Sequence, residues 1–271
     1  MTRSSYLAAF GDGAAVRFDT LLQNYLIASV GLLPASIVVT GQCFALDVSC
    51  GSGQWVRALA KAHPSLEAVG LHEQSLSLAY AREICLEQKI GNAYFTPGKL
   101  HRLPSQPNLF DLVRICNLTS LVPAEEWLSV LQEMVRVCRS AGHILVQEVN
   151  IPVTSSPACS QMTELVKAAL ARRDADEAML AEMERLFTLA LSQKPERTDL
   201  HLDLSYGTTA YKHLMAVLPP LIACLQTYLT EMHVTTEQEL RELIRGIIAE
   251  VTSEKFQGTQ TLTAFIGERT L

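Results

Sequence analysis

At 271 residues and 48% hydrophobic content, the chain is long enough and apolar enough to bury a sizeable core, which excludes an intrinsically disordered protein. Its 22 lysines and arginines against 28 aspartates and glutamates give a formal charge of −6. No basic excess is present to neutralise a phosphate backbone, so nucleic acid is not an expected partner. The seven cysteines (Cys43, Cys50, Cys85, Cys116, Cys138, Cys159 and Cys224) are odd in number and never spaced C-x-x-C. That pattern argues against a disulfide framework or a zinc site and for reduced core thiols, so no metal is expected. Met1 to Thr20 mixes Arg3, Asp12, Arg17 and Asp19 with small residues and has no export-signal pattern, which implies a cytoplasmic location. Prolines interrupt the apolar run Leu214 to Leu225, which therefore falls short of the ~20 residues of a membrane-spanning helix, and no membrane partner is expected.

From Phe44 to Val149 short apolar runs alternate with amphipathic segments, the βαβ pattern of a parallel sheet covered by helices. The first expected strand, Phe44 to Val48, runs into Ser49-Cys50-Gly51-Ser52-Gly53 and then a helix from Gln54 to His63, which Pro64 ends. Strands follow at Glu67 to Leu71, Ala93 to Thr96, Asp111 to Cys116 and His143 to Val149. Helices are expected around Leu76 to Ile84 and Pro123 to Cys138. Ser156 to Leu191 has the spacing of two helices, and His201 to Ser205 alternates as a sixth strand. Gly207 to Leu229 and Thr236 to Val251 are again helical, the second opening with Thr236 and Glu239 in capping-box spacing, and Gln260 to Gly267 is a final strand.

A parallel strand that runs into a glycine turn and a helix presents backbone N–H groups and a positive dipole end to a ligand at the strands' carboxyl ends. Asp47-Val48-Ser49-Cys50-Gly51-Ser52-Gly53 resembles the first motif of class I S-adenosylmethionine-dependent methyltransferases, Asp-x-Gly-x-Gly-x-Gly. Phe110-Asp111-Leu112-Val113 resembles the family's fourth strand, and Glu133 to Gly142 its passage into the fifth. Leu262 to Gly267 resembles its last strand, and Tyr6 to Leu26 the lid helix over its cofactor. The resemblance implies a seven-stranded, mostly parallel Rossmann-like α/β sheet with helical cap insertions. It divides the chain into lid helices (1–40), a cofactor-binding core (41–154), a helical substrate cap with one strand near 200–205 (155–255) and a final strand (256–271).

By the same resemblance the cofactor is S-adenosylmethionine and the partner a small, largely apolar substrate. Asp47, Gly51 and Gly53 keep the motif, while Ser49 stands where the family has its first glycine. His72, with Glu73 beside it, falls at the family's ribose-binding acid. Lys99 replaces the adenine-binding aspartate, a donor in place of an acceptor, with Leu100 next to it. Asn117 follows the fourth strand, where the family lines the methionine end. Glu148 and His213 are the candidate general bases, and Tyr25, Tyr206 and Tyr211 candidates for an apolar substrate pocket. The altered positions also leave open an enzyme of another class on this fold, catalysing a cyclisation, rearrangement or elimination, or a non-enzymatic partner.

Overall fold

The computed structural model describes residues 12–169 and 176–270, so Tyr6, where the expected lid segment begins, lies outside it. The strands are β1 (Cys43–Val48), β2 (Leu66–His72), β3 (Ala93–Pro97), β4 (Phe110–Cys116), β5 (Cys138–Val149), β6 (Val153–Thr154), β7 (Glu196–Asp203) and β8 (Gly258–Glu268). The helices are α1 (Asp12–Val30), α2 (Gln54–Ala62), α3 (Ser75–Glu87), α4 (Leu118–Leu121), α5 (Ala124–Val137), α6 (Pro157–Ala169), α7 (Asp176–Leu191), α8 (Thr209–Glu231) and α9 (Glu237–Val251). One sheet has the order β3-β2-β1-β4-β5-β8-β6, with β7 also on β8. β1 to β5 pair in parallel, and β8 runs antiparallel to its neighbours.

Ala45 to Val48 are buried on both sides because helices cover both faces of the sheet. Leu46, Val48, Val113 and Val146 pack against Trp127, Leu131 and Met134 of α5, whereas Ala45, Ala68 and Leu112 pack against α2 and α3. A separate apolar cluster joins α1, α6, α8 and α9 into the cap.

Four features depart from the sequence expectation, three in the sheet and its cover and one in α8. Among the described residues the sheet has eight strands, the extra one being two-residue β6, which is too short to leave a pattern. β7 begins at Glu196 and ends before Ser205; its polar first half pairs across the sheet, with Asp199 Oδ1 accepting from Thr263 Oγ1 at 2.7 Å and from Arg197 nearby. α7, within the span expected to be cap, instead covers the sheet, seating Met183, Leu186 and Phe187 in the α5 cluster.

α8 continues through Pro219 and Pro220, although neither has an N–H to give to the helical ladder. At 23 residues it is long and apolar enough to cross a membrane, contrary to the expectation that the prolines cut the run short. Here Val217, Ile222, Leu225 and Leu229 are buried in the cap cluster. The capping box that opens α9 forms as expected: Thr236 Oγ1 accepts from Glu239 N at 3.2 Å, and Glu239 Oε2 accepts from Thr236 N at 2.9 Å.

Candidate active site

The turn after β1 is built from left-handed residues: Ser49 at φ 73°, Gly51 at 52° and Gly53 at 73°. Cys50 N donates to Leu71 O at 2.8 Å, which ties the turn to the end of β2. Gly53 then caps α2, and a Cβ there would fall 2.4 Å from the Phe95 ring, so only glycine lets the helix start against β3. Ser49 is not glycine and carries the strain of that conformation, roughly 1–2 kcal/mol, offset by the ~0.4–1 kcal/mol of chain entropy that glycine loses on folding. Ser49→Gly is therefore expected to raise unfolding free energy by roughly 0.5 kcal/mol and Ser49→Val to lower it, read as opposite shifts of the urea midpoint.

Asp47, one residue pair back, lies in register with Arg114 of β4, and both side chains are 1% exposed. Arg114 donates to Asp47 Oδ2 at 3.0 Å, to Gln147 Oε1 at 2.7 Å and to Gln23 Oε1 of α1 at 3.2 Å. Its guanidinium also lies over the Trp55 ring, 4.6 Å from the centroid. Burial pushes the Asp47 carboxyl up to about 6, with Arg114 opposing and Asp19 adding to the rise.

α1 brings a second carboxylate to the turn. Asp19 Oδ2 accepts from Ser52 N at 2.6 Å, and a Cβ at Gly51 would fall 2.4 Å from Asp19 Cγ. The carboxyl thus fills the concavity that the glycine opens at the N-terminus of α2. Burial raises the Asp19 pKa, and the Ser52 hydrogen bonds oppose the rise. Asp47 Oδ1 is buried close by without a hydrogen-bond partner among the described residues.

The positions expected at the far end of a cofactor are spread out. His72 ends β2 half-buried; burial lowers its pKa, with Asp19 opposing. Glu73 is exposed in the bend beyond the strand. Lys99 is exposed in a turn bridged to Arg102, while the Leu100 side chain is buried in the sheet core.

On the other side of α1 lies an apolar cavity of about 230 Å³ under the cap. Phe18, Leu22 and Tyr25 of α1 line it, facing Met162, Leu218 and Phe256. Asn117 joins them: it adopts a left-handed φ of 57° ahead of α4, and its Oδ1 accepts from Val149 N at 2.9 Å. The other candidate pocket residues lie elsewhere. Tyr211 donates to Val251 O at 3.1 Å inside the cap cluster, and Tyr206 packs on it, 44% exposed. His213 meets Tyr25 edge-on with centroids 6.1 Å apart but does not line the cavity. Glu148 is buried with its carboxylate accepting from Thr119 N at 3.2 Å and Thr119 Oγ1 at 2.6 Å, also off the cavity wall. A general base at Glu148 or His213 therefore draws no support from these positions.

Asp19 and Arg114 are the residues that sequence reasoning missed, while Gln23 lies in the expected lid segment. Arg114 left a signal, a charge inside an otherwise buried parallel strand, which needs a buried partner. Asp19 lies in the segment that resembles a lid helix, but only the packing of α1 shows that it is this carboxylate that reaches the turn.

The residues at the turn suit the amino-acid end of S-adenosylmethionine: the unpartnered Asp47 Oδ1 can accept from an ammonium, and the Ser52 N–H that Asp19 now holds can donate to a carboxylate. Residues 45–142 match the family described as a methyltransferase domain. The demethylmenaquinone methyltransferase of Shouchella clausii is 38% identical over 109 residues, which are 40% of this chain and 46% of that protein. The chain thus spans less than half the length of that relative. A solved putative methyltransferase from Bacillus halodurans superposes with a TM-score of 0.55 at 16% identity, covering 92% of this chain and 99% of that one. The [4+2]-cyclase SpnF superposes at 0.51 with 16% identity, covering 91% and 80%. At such identities these two share the fold alone.

Proposed function

We propose that the chain, whose residues 45–142 match the methyltransferase-domain family, transfers a methyl group from S-adenosylmethionine to a small, largely apolar acceptor. One observation carries the reading: α1 stands between the glycine turn and the apolar cavity, with Asp19 and Gln23 on the turn side and Phe18, Leu22 and Tyr25 on the cavity side. Residues four apart on a helix share a face, so a single element borders both binding places. When bound, S-adenosylmethionine would supply an electrophilic methyl on a positive sulfur that leaves as a neutral thioether. The chain's own part is then to hold the acceptor under the cap, align it and exclude water. Asp47, Ser49, Gly51, Gly53 and the Ser52 amide would hold the amino-acid end. His72, whose pKa burial lowers and which hydrogen-bonds Gln74, would offer its other ring nitrogen toward the ribose. The relative's name gives its acceptor as demethylmenaquinone, and the largely apolar cavity wall, with its aromatic and aliphatic side chains, supports an apolar acceptor here.

Calorimetry with S-adenosylhomocysteine tests the reading. Saturable binding is expected, together with a thermal shift, since a ligand at 100 times its dissociation constant stabilises by about 2.7 kcal/mol. No heat and no shift would remove the methyltransferase reading. Binding without methyl transfer to any apolar hydroxyl compound would favour a non-methylating enzyme on the same fold.

A further inference from the structure

Two amide side chains of the cavity wall, Gln260 and Asn117, have their directions fixed by backbone atoms that allow only one arrangement. Gln260 Nε2 donates to Asn150 O at 2.9 Å, and a backbone carbonyl can only accept, so the amide of Gln260 is oriented without ambiguity. Its Oε1 then faces Tyr25, and the 2.6 Å contact must be Tyr25 Oη donating to it. A phenol has one proton, so Tyr25 can offer a ligand only its oxygen lone pairs. The reverse holds at Asn117: Val149 N can only donate, so Oδ1 faces it and the amide N–H groups remain for other partners. Tyr25, Asn117, Asn150 and Gln260 all line the cavity.

We propose that Tyr25 as an acceptor and Asn117 as a donor set the hydrogen-bond polarity of the cavity, so that it selects an apolar molecule bearing a hydroxyl over the same molecule with that hydroxyl capped as a methyl ether. A hydroxyl can donate to Tyr25 and accept from Asn117. An ether oxygen can only accept, and it leaves Tyr25 buried against a group that offers no proton. Burial of Tyr25 raises its pKa to about 12, so the phenol keeps its proton, and its one donor, across the physiological range. The pair acts by positioning. The inference deepens the proposed function and rests on the cavity being the acceptor site.

The test uses the full chain with 2-naphthol and 2-methoxynaphthalene, measured by calorimetry, with S-adenosylhomocysteine binding measured on the same samples. Wild type is expected to prefer the naphthol by about ten-fold, the scale of one hydrogen bond left unmade. Tyr25→Phe removes the acceptor and should bring the two ligands within about two-fold of each other. Gln260→Leu frees the Tyr25 hydroxyl to turn and donate, and should raise affinity for the ether. A merely structural role for Tyr25 would weaken both ligands alike and leave their ratio unchanged. Equal binding of both ligands by wild type, an unchanged ratio in Tyr25→Phe, or no binding of either ligand overturns the proposal. Loss of S-adenosylhomocysteine binding in wild type would count instead against the methyltransferase reading.

Discussion

Arg114→Leu is expected to lower unfolding free energy by roughly 3–5 kcal/mol at pH 8, the range seen when one partner of a buried ion pair is removed. Arg114 has three side-chain acceptors and a stacking partner, Asp47, Gln147, Gln23 and Trp55, and it is the cation facing Asp47 inside the sheet. Without it, Asp47 keeps an uncompensated buried charge or takes up a proton. The pH dependence separates this from simple loss of packing. The Asp47 pKa already lies at about 6, above its unfolded value of 3.8, so its protonated form is favoured by folding. That contribution is fully present below the unfolded value and is lost as pH rises through about 6. Removing Arg114 takes away an influence that lowers the pKa, so the loss window widens toward higher pH. The variant should therefore be much closer to wild type at pH 5 than at pH 8. Asp47→Asn in the Arg114→Leu background should recover a large part of the loss and flatten the pH dependence. Urea melts of the four proteins at both pH values close the cycle, and a pH-independent loss that Asp47→Asn does not touch would mean that Arg114 acts through Trp55 and the two glutamines alone.

What the sequence made legible follows from how local each signal is. β1 and β4 could be read because strands buried on both faces are continuous apolar runs, and the turn residues 49–53 stand directly beyond the first of them. The α9 capping box was equally local, set by two residues three apart. β6 and the first half of β7 were not legible, since two residues carry no period and the polar residues of β7 are satisfied only by β8. The place of α7 was hidden for another reason: an amphipathic stripe states that a face is buried but not against what. The site divides in the same way. Asp47, Gly51 and Gly53 were visible from the motif. Tyr211 looked like a pocket residue because aromatic spacing cannot distinguish a cavity wall from a cluster such as that of Tyr206, Tyr211 and Phe256. The acid at the turn came from 33 positions away in the chain, from a helix whose packing decides which carboxylate reaches the glycines.

That acid leads to the second large effect: Asp19→Ala is expected to bind S-adenosylhomocysteine about ten-fold or more tightly than wild type, provided the proposed cofactor site is right. The Asp19 carboxyl occupies the concavity at Gly51 and takes the Ser52 N–H, the same donor that a ligand carboxylate needs. A ligand must displace it and break its hydrogen bond from the Ser52 N–H, worth about 1–3 kcal/mol, and about 1.4 kcal/mol is a factor of ten. S-adenosylhomocysteine suits the measurement because it lacks the sulfonium charge, so losing a nearby carboxylate does not also remove an attraction to that charge. Gln23→Ala is the control: it loosens the same helix from Arg114 but leaves Asp19 in the turn, and should change affinity by less than about three-fold. Gly51→Ala puts a methyl where both the carboxyl and the ligand must go, and should weaken binding. The Ser52 amide resonance gives an independent reading of the same contact. It should move upfield in ligand-free Asp19→Ala, where the acceptor is gone, and return toward its wild-type position when S-adenosylhomocysteine supplies a carboxylate in its place. Weaker binding by Asp19→Ala would instead make Asp19 a contact that the bound ligand uses, with α1 closing on the ligand and not competing with it.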